Sequence, residues 1–214
     1  MFAEQFLVTL KRLLLVLGIY SLLRLLFLSF NYQEFSEARF HDILLAFFWG
    51  LRFDLSSVCL INSPVILVEY GDYECPYCGA AYAIVKALQQ SMSSRLGFVF
   101  RNFPLAKIHP HAMAAAQAAE AAGAQGSFWK MHDMLFENQR RLIRHHIIEY
   151  ADKLALDSTR LLEELASGAY AKRIQEDFRS GVRSGVNGTP TFFINGVRYN
   201  GPRDVESMLV ALTI

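Results

Sequence analysis

Cys75-Pro76-Tyr77-Cys78 is the stretch of this 214-residue chain whose residue types and spacing best support chemistry. Thiols at i and i+3 lie about one helical turn apart, near enough to close an intramolecular disulfide. Exchange of that disulfide needs a thiolate, and a helix N-terminus stabilises one through its unpaired N–H groups and the positive end of its dipole. Pro76 suits a first helical turn, which places Cys75 at the helix start as the attacking thiol and Cys78 one turn inward as the resolving thiol. The competing chemistry is half of a zinc site. Zinc would need two further ligands, and the only other cysteine is Cys59. His109 with His111, or His145 with His146, are the best substitutes, but neither pair has the usual ligand spacing, and all four read as loop or helix-surface residues.

The flanking sequence supplies elements to hold the pair. Val65 to Tyr70 is β-branched and apolar and predicts a buried strand ending at Gly71, directly ahead of the cysteines. Gly79 to Met92 continues the helix, and Leu96 to Asn102 alternates as a second strand. Helices are expected over 109–124, 127–138, 147–156, 158–166 and 170–183. Two short strands, Thr191 to Ile194 and Val197 to Tyr199, flank Asn195-Gly196, a type I′ hairpin signal, and 202–212 closes as a helix. The order is strand, helix, strand, helical block, hairpin, helix. That is an α/β thioredoxin-like topology with a helical domain inserted at about 105–184, within a domain spanning 64–214. Trp129, Met131, Met134 and Phe136 in the helical block are expected in its core rather than in a substrate groove.

Downstream, Thr189-Pro190 opens a strand, where a proline is unusual because it donates nothing to the ladder. With the cysteine pair upstream, it resembles the cis-proline loop of thioredoxin-fold enzymes. The segments VEYGDYECPYCGAAY, FRNFPL, HPHA and GTPTFFINGVRYNG resemble the bacterial DsbA-like thiol-disulfide oxidoreductases over roughly residues 64–213. The resemblance implies Cys75 as nucleophile, Cys78 as resolving thiol and Pro190 as the cis-proline facing them. Thr189 would pair its backbone with a substrate strand, and Pro76 and Tyr77 would join it as substrate contacts. Glu69, six residues before Cys75, matches a buried acid that carries protons to and from Cys78; an outward-facing strand residue is the plainer alternative. Tyr77 departs from the histidine of the family's strongest oxidants, so redox poise is not transferred with the rest. CPYC also occurs in glutaredoxins, but the 115 residues between Cys75 and Pro190 exceed what a compact glutaredoxin needs.

Residues 1–63 belong to a different solvent. The chain is 53% hydrophobic, and the Leu- and Phe-rich excess is concentrated there. Leu13 to Phe30 holds one charge, Arg24, behind Lys11 and Arg12. A dozen apolar residues at about −0.3 to −0.6 kcal/mol each outweigh one arginine at about +2.5 to +3.5, so a membrane anchor is expected, with its N-terminus in the cytoplasm. Ile43 to Ile61 is apolar too but contains Arg52 and Asp54, whose cost of about 5 to 7 kcal/mol cancels the gain; it is expected to lie on the membrane surface or against the domain rather than to span. Around Arg24, and through GLRFDLS at Gly50 to Ser56, the region weakly resembles the opening membrane segments of sulfatase-like proteins of the lipoteichoic-acid synthase type, without their catalytic domain. Cys59 reads as a small apolar residue of this part. DsbA-like domains usually begin with a short strand and loop, whereas here INSP runs straight into Val65, which has the look of a fusion.

Charge is nearly balanced at +1, five basic against five acidic residues in 1–64 and sixteen against fifteen beyond, which excludes a nucleic-acid binder. The expectation is a membrane-anchored, extracytoplasmic dithiol oxidase. Its partners would be reduced or unfolded proteins, a membrane re-oxidase and, through residues 1–63, membrane lipid. It would use no metal and no cofactor beyond its own redox-active disulfide. A reductase or isomerase on the same fold, and a non-catalytic membrane-anchored binding module, are the alternatives.

Overall fold

The computed structural model describes residues 64–213 and scattered positions between 11 and 26. The chain divides into two compact units, Met1–Ser63 and Pro64–Ile214. In the first, the described positions are helical. Among the described residues no helix is long and apolar enough to cross a membrane. The expected span at 13–30 falls partly, and the segment 43–61 with Arg52, Asp54 and Cys59 wholly, outside the described residues; so does the GLRFDLS stretch.

The second unit is built around β1 (Val65–Gly71), α1 (Pro76–Met92), β2 (Leu96–Asn102), β3 (Thr191–Ile194), β4 (Val197–Tyr199) and α7 (Val205–Thr213). Between β2 and β3 stand five helices: α2 (Ala112–Ala124), α3 (Phe128–Glu137), α4 (Arg144–Lys153), α5 (Ser158–Ser167) and α6 (Ala171–Arg183). The strand order is β2-β1-β3-β4, with β1 parallel to β2 and antiparallel to β3. A parallel β1-β2 pair requires a crossover, which α1 provides. At the β3-β4 turn Asn195 and Gly196 both have positive φ, 48° and 85°, as a type I′ hairpin requires. This is the thioredoxin-like α/β fold with a helical insertion that the element order predicts.

Alternation along β1 sorts its side chains between two layers. Leu67 packs with Ala81, Val85 and Leu88 of α1, Phe192 of β3, and Met208 and Leu212 of α7. Tyr70, on the opposite face, packs with Phe103 and Val186, joined by Val68, Phe178 of α6 and Phe193. The insertion has its own core, in which six buried alanines of α2 let neighbouring helices approach closely. Cys75 and Cys78 lie within that cluster beside Tyr73, Phe100 and Phe136. The insertion therefore forms one wall of the redox centre. Met131 and Phe136 are core as expected and Met134 is partly buried, but Trp129 is 46% exposed. It sits at the rim, tilted against Phe98 and edge-on to Phe128.

Candidate active site

The turn after β1 delivers the cysteines to the start of α1. Cys75 is the N-cap, in extended conformation, with Pro76 opening the helix; the Cys75 carbonyl accepts from the N–H groups of Cys78 at 3.0 Å and Gly79 at 3.1 Å. Cys75 Sγ donates to the Thr189 carbonyl at 3.5 Å, and the Thr189-Pro190 peptide is cis. Residues 114 positions apart are thus brought together because β1 and β3 are neighbours, with Tyr70 opposite Thr191. Pro190 is buried and Tyr77 is 73% exposed. Pro76 is also exposed, so the two residues between the cysteines face outward.

The two thiols differ in surroundings. A hydrogen bond from the Cys78 thiol, supported by the Thr189 side chain and the amides of Cys78 and Tyr77, outweighs burial and holds the Cys75 thiol down at about 5. Cys78 is fully buried; desolvation, its hydrogen bond to Cys75 and the nearby Glu69 carboxylate push its pKa far up. Its sulfur accepts the Asp72 N–H at 3.4 Å. Ionisation is concentrated on Cys75.

Glu69 lies inward. Alternation sets it on the α1 side of β1 with Leu67, at 2% exposure. Burial, then the Cys75 charge, raises its carboxyl pKa to about 8. Oε1 has no hydrogen-bond partner among the described residues. Glu69 also lines a cavity of about 70 Å³, enough to admit water, together with Tyr82, Val85, Lys86, Phe98, Trp129 and His132 among others. Lys86 and Asp133 pair at 2.9 Å beside it.

Several residues around the pair were not legible as site residues. His109 and His111 are not ordinary surface residues: His109 Nδ1 meets the buried Asp72 at 2.8 Å, and His111 Nδ1 meets Glu74 at 2.8 Å. Asp72 Oδ2 also accepts the Leu105 N–H at 2.8 Å, so the FRNFPL and HPHA loops are fastened to the residues just ahead of Cys75. The shared i, i+2 spacing of Asp72-x-Glu74 and His109-x-His111 was the available signal, and only the fold aligns the two pairs. These histidines are held by carboxylates. Among the described residues, no three side chains of metal-binding type come together. His145 lies on a helix surface as expected. Tyr73 bonds His132 at 3.0 Å, and burial lowers the His132 pKa to about 4 and keeps the ring neutral. Gln139 donates to the carbonyls of Tyr73 and Cys75.

Comparison with known proteins agrees with this geometry. A family model described as thioredoxin matches residues 61–213. Among solved structures, a thioredoxin-like oxidoreductase from Silicibacter pomeroyi DSS-3 superposes with a TM-score of 0.63 at 26% identity, over 71% of this chain and 86% of that one. BdbD from Bacillus subtilis (TM-score 0.64, 24% identity, 71% and 87% covered) and alpha-DsbA2, a thiol-disulfide exchange protein from Wolbachia pipientis (0.63, 20%, 71% and 82%), share the fold. Curated relatives carry another name. A protein named Na(+)/H(+) antiporter NhaA 1 from Salinispora arenicola is 46% identical over 152 residues, 71% of this chain and 23% of its own length. One named Na(+)/H(+) antiporter NhaA from Herminiimonas arsenicoxydans is 40% identical over 151 residues, 71% and 24%. The present chain spans about a quarter of the length of these curated relatives. From its cysteine-capped helix, cis-proline loop and matched domain, the chain belongs to the thioredoxin family, with the DsbA-like architecture of that family's thiol-disulfide oxidoreductases.

Proposed function

We propose that the Cys75-Cys78 pair oxidises dithiols in extracytoplasmic proteins. The observation that carries this reading is the asymmetry of the pair: a Cys75 thiolate stabilised at the α1 N-terminus above a deeply buried Cys78. A substrate thiolate attacks Cys75 Sγ of the oxidised pair, the Cys75–Cys78 bond breaks, and Cys78 leaves with the electron pair and takes a proton, which Glu69 supplies. The second substrate thiolate then attacks the mixed disulfide at its own sulfur and releases Cys75 as thiolate. The substrate loses two electrons and the enzyme gains them. A stable Cys75 thiolate makes it a good leaving group and the enzyme disulfide a strong oxidant. Thr189 pairs its backbone with the substrate strand, with Pro76, Tyr77 and Pro190 completing the contact.

The enzyme returns to its starting state by passing two electrons to a membrane re-oxidase, and the redox-active disulfide is the sole redox group in this scheme. The apolar residues 13–30 support attachment to membrane lipid, and relatives named for ion antiport support a place at the membrane. Redox titration of the purified protein against glutathione tests the direction. A potential well above that of cytosolic reductants is expected, as oxidation of a substrate dithiol requires. A potential near theirs would make the domain a reductase. Equal activity of wild type and Cys75→Ser in insulin reduction and refolding assays would make it a binding module.

A further inference from the structure

Of the insertion's side chains that reach the redox turn, Gln139 bonds the Cys75 backbone itself. Gln139 lies in the turn between α3 and α4, half-buried, and its Nε2 donates to the carbonyls of Tyr73 at 2.8 Å and Cys75 at 2.9 Å. An amide nitrogen has two hydrogens, and both are used. The second acceptor is the carbonyl that also receives the N–H groups of Cys78 and Gly79 and so closes the first turn of α1.

A second, independent feature fits the same contact. Gly79 lies inside α1, where glycine lowers helix stability relative to alanine. A Cβ built there would overlap Oε1 and Cδ of Gln139. The glutamine could avoid it only by swinging away from its two carbonyls. The missing side chain at position 79 is therefore the space Gln139 occupies.

We propose that Gln139 is a positioning residue: it ties the helical insertion to the redox turn and keeps the first turn of α1 closed at the Cys75 carbonyl, with Gly79 as its receptacle. The inference rests on reading Cys75 as the attacking thiol. Its physical content is that fixing the Tyr73 and Cys75 carbonyls fixes the peptide planes at the helix start. Released, the turn frays and the thiolate loses part of its hydrogen bonding.

The test is a pH titration of thiolate absorbance in the reduced full chain, for wild type, Gln139→Met, Gln139→Ala, Gly79→Ala and the Gly79→Ala/Gln139→Ala double variant. Gln139→Met keeps the bulk and removes the donors, and should move the Cys75 midpoint up by about one pH unit. Gly79→Ala should do the same by displacing the glutamine, and the double variant should go no further. In the Gln139→Ala background the alanine at 79 should raise Tm, because only the helix preference is left. Gly79→Ala also secures the test should Gln139→Met fail to fold. A low wild-type midpoint that both Gln139 variants leave in place overturns the inference alone, as does a Gly79→Ala shift that adds in full to that of Gln139→Ala. A wild-type midpoint in the ordinary thiol range overturns it together with the reading of Cys75.

Discussion

At the scale of single residues, the redox centre stores opposite protonation preferences within one site. The Cys75 pKa is depressed, so the thiolate stabilises the reduced fold fully above the ordinary thiol range, and that contribution is lost as pH falls through about 5. Reduced wild type should therefore gain on Cys75→Ser between pH 5 and 9, by about 2–3 kcal/mol at pH 7, read from denaturant unfolding. A difference that stays flat with pH would contradict the stabilised thiolate. Glu69 is the reverse case. Its pKa rises from 4.5 to about 8, so the fold keeps a proton that the unfolded chain gives up, and stability falls as pH rises across that window. Glu69→Gln removes the penalty: the variant should match wild type near pH 4 and exceed it by about 2–4 kcal/mol at pH 9. The same substitution should slow thiol-disulfide turnover in stopped-flow assays, because Cys78 loses its proton partner. Unchanged turnover would leave Glu69 a buried acid without a part in exchange.

At the scale of elements, the site depends on how closely α6 and the other helices of the insertion approach the sheet. Gly181 in α6 shows this. A Cβ there would lie 2.8 Å from ring atoms of Phe103 and 2.9 Å from Tyr70, both buried aromatic rings. Phe103 in turn stacks on Phe178 with centroids 4.2 Å apart, leaving little room to yield. Gly181→Ala should then destabilise by about 1–3 kcal/mol despite alanine's better helix propensity, measured by denaturant midpoint at unchanged slope. A stabilised variant would show that α6 packs more loosely than its rings indicate. The loops ahead of α2 act on the other side of the centre. Through His109 with Asp72 and His111 with Glu74 they brace the turn that presents Cys75.

At the scale of the whole molecule, two units with different compositions share one chain, and the redox chemistry lies in the second. A fragment of residues 61–214 should unfold in one cooperative transition and keep the Cys75 midpoint of the full chain, checked by circular dichroism and thiolate titration. Loss of the transition would mean that Met1–Ser63 completes the fold. Direction of electron flow follows compartment. In intact cells, a membrane-impermeant thiol reagent applied after mild reduction should reach Cys75 if the domain faces outward. Protection until lysis would reverse the oxidase reading.

Much of this was legible in the chain. Local pattern determined the strands, the cysteine-capped helix and the Asn195-Gly196 hairpin, because period-2 and period-3.6 spacing, Pro76 and a turn glycine each act over a few residues. The cysteine pair with Thr189-Pro190 marked the centre. What tertiary structure alone decided is long-range: that Glu69 is buried near Cys78, that His109 and His111 answer Asp72 and Glu74 across 37 residues, and that Gln139 fills the space left by Gly79. Each is a contact between segments whose own patterns are unremarkable. Their partners are chosen by sheet order and helix packing, which no short stretch of sequence encodes.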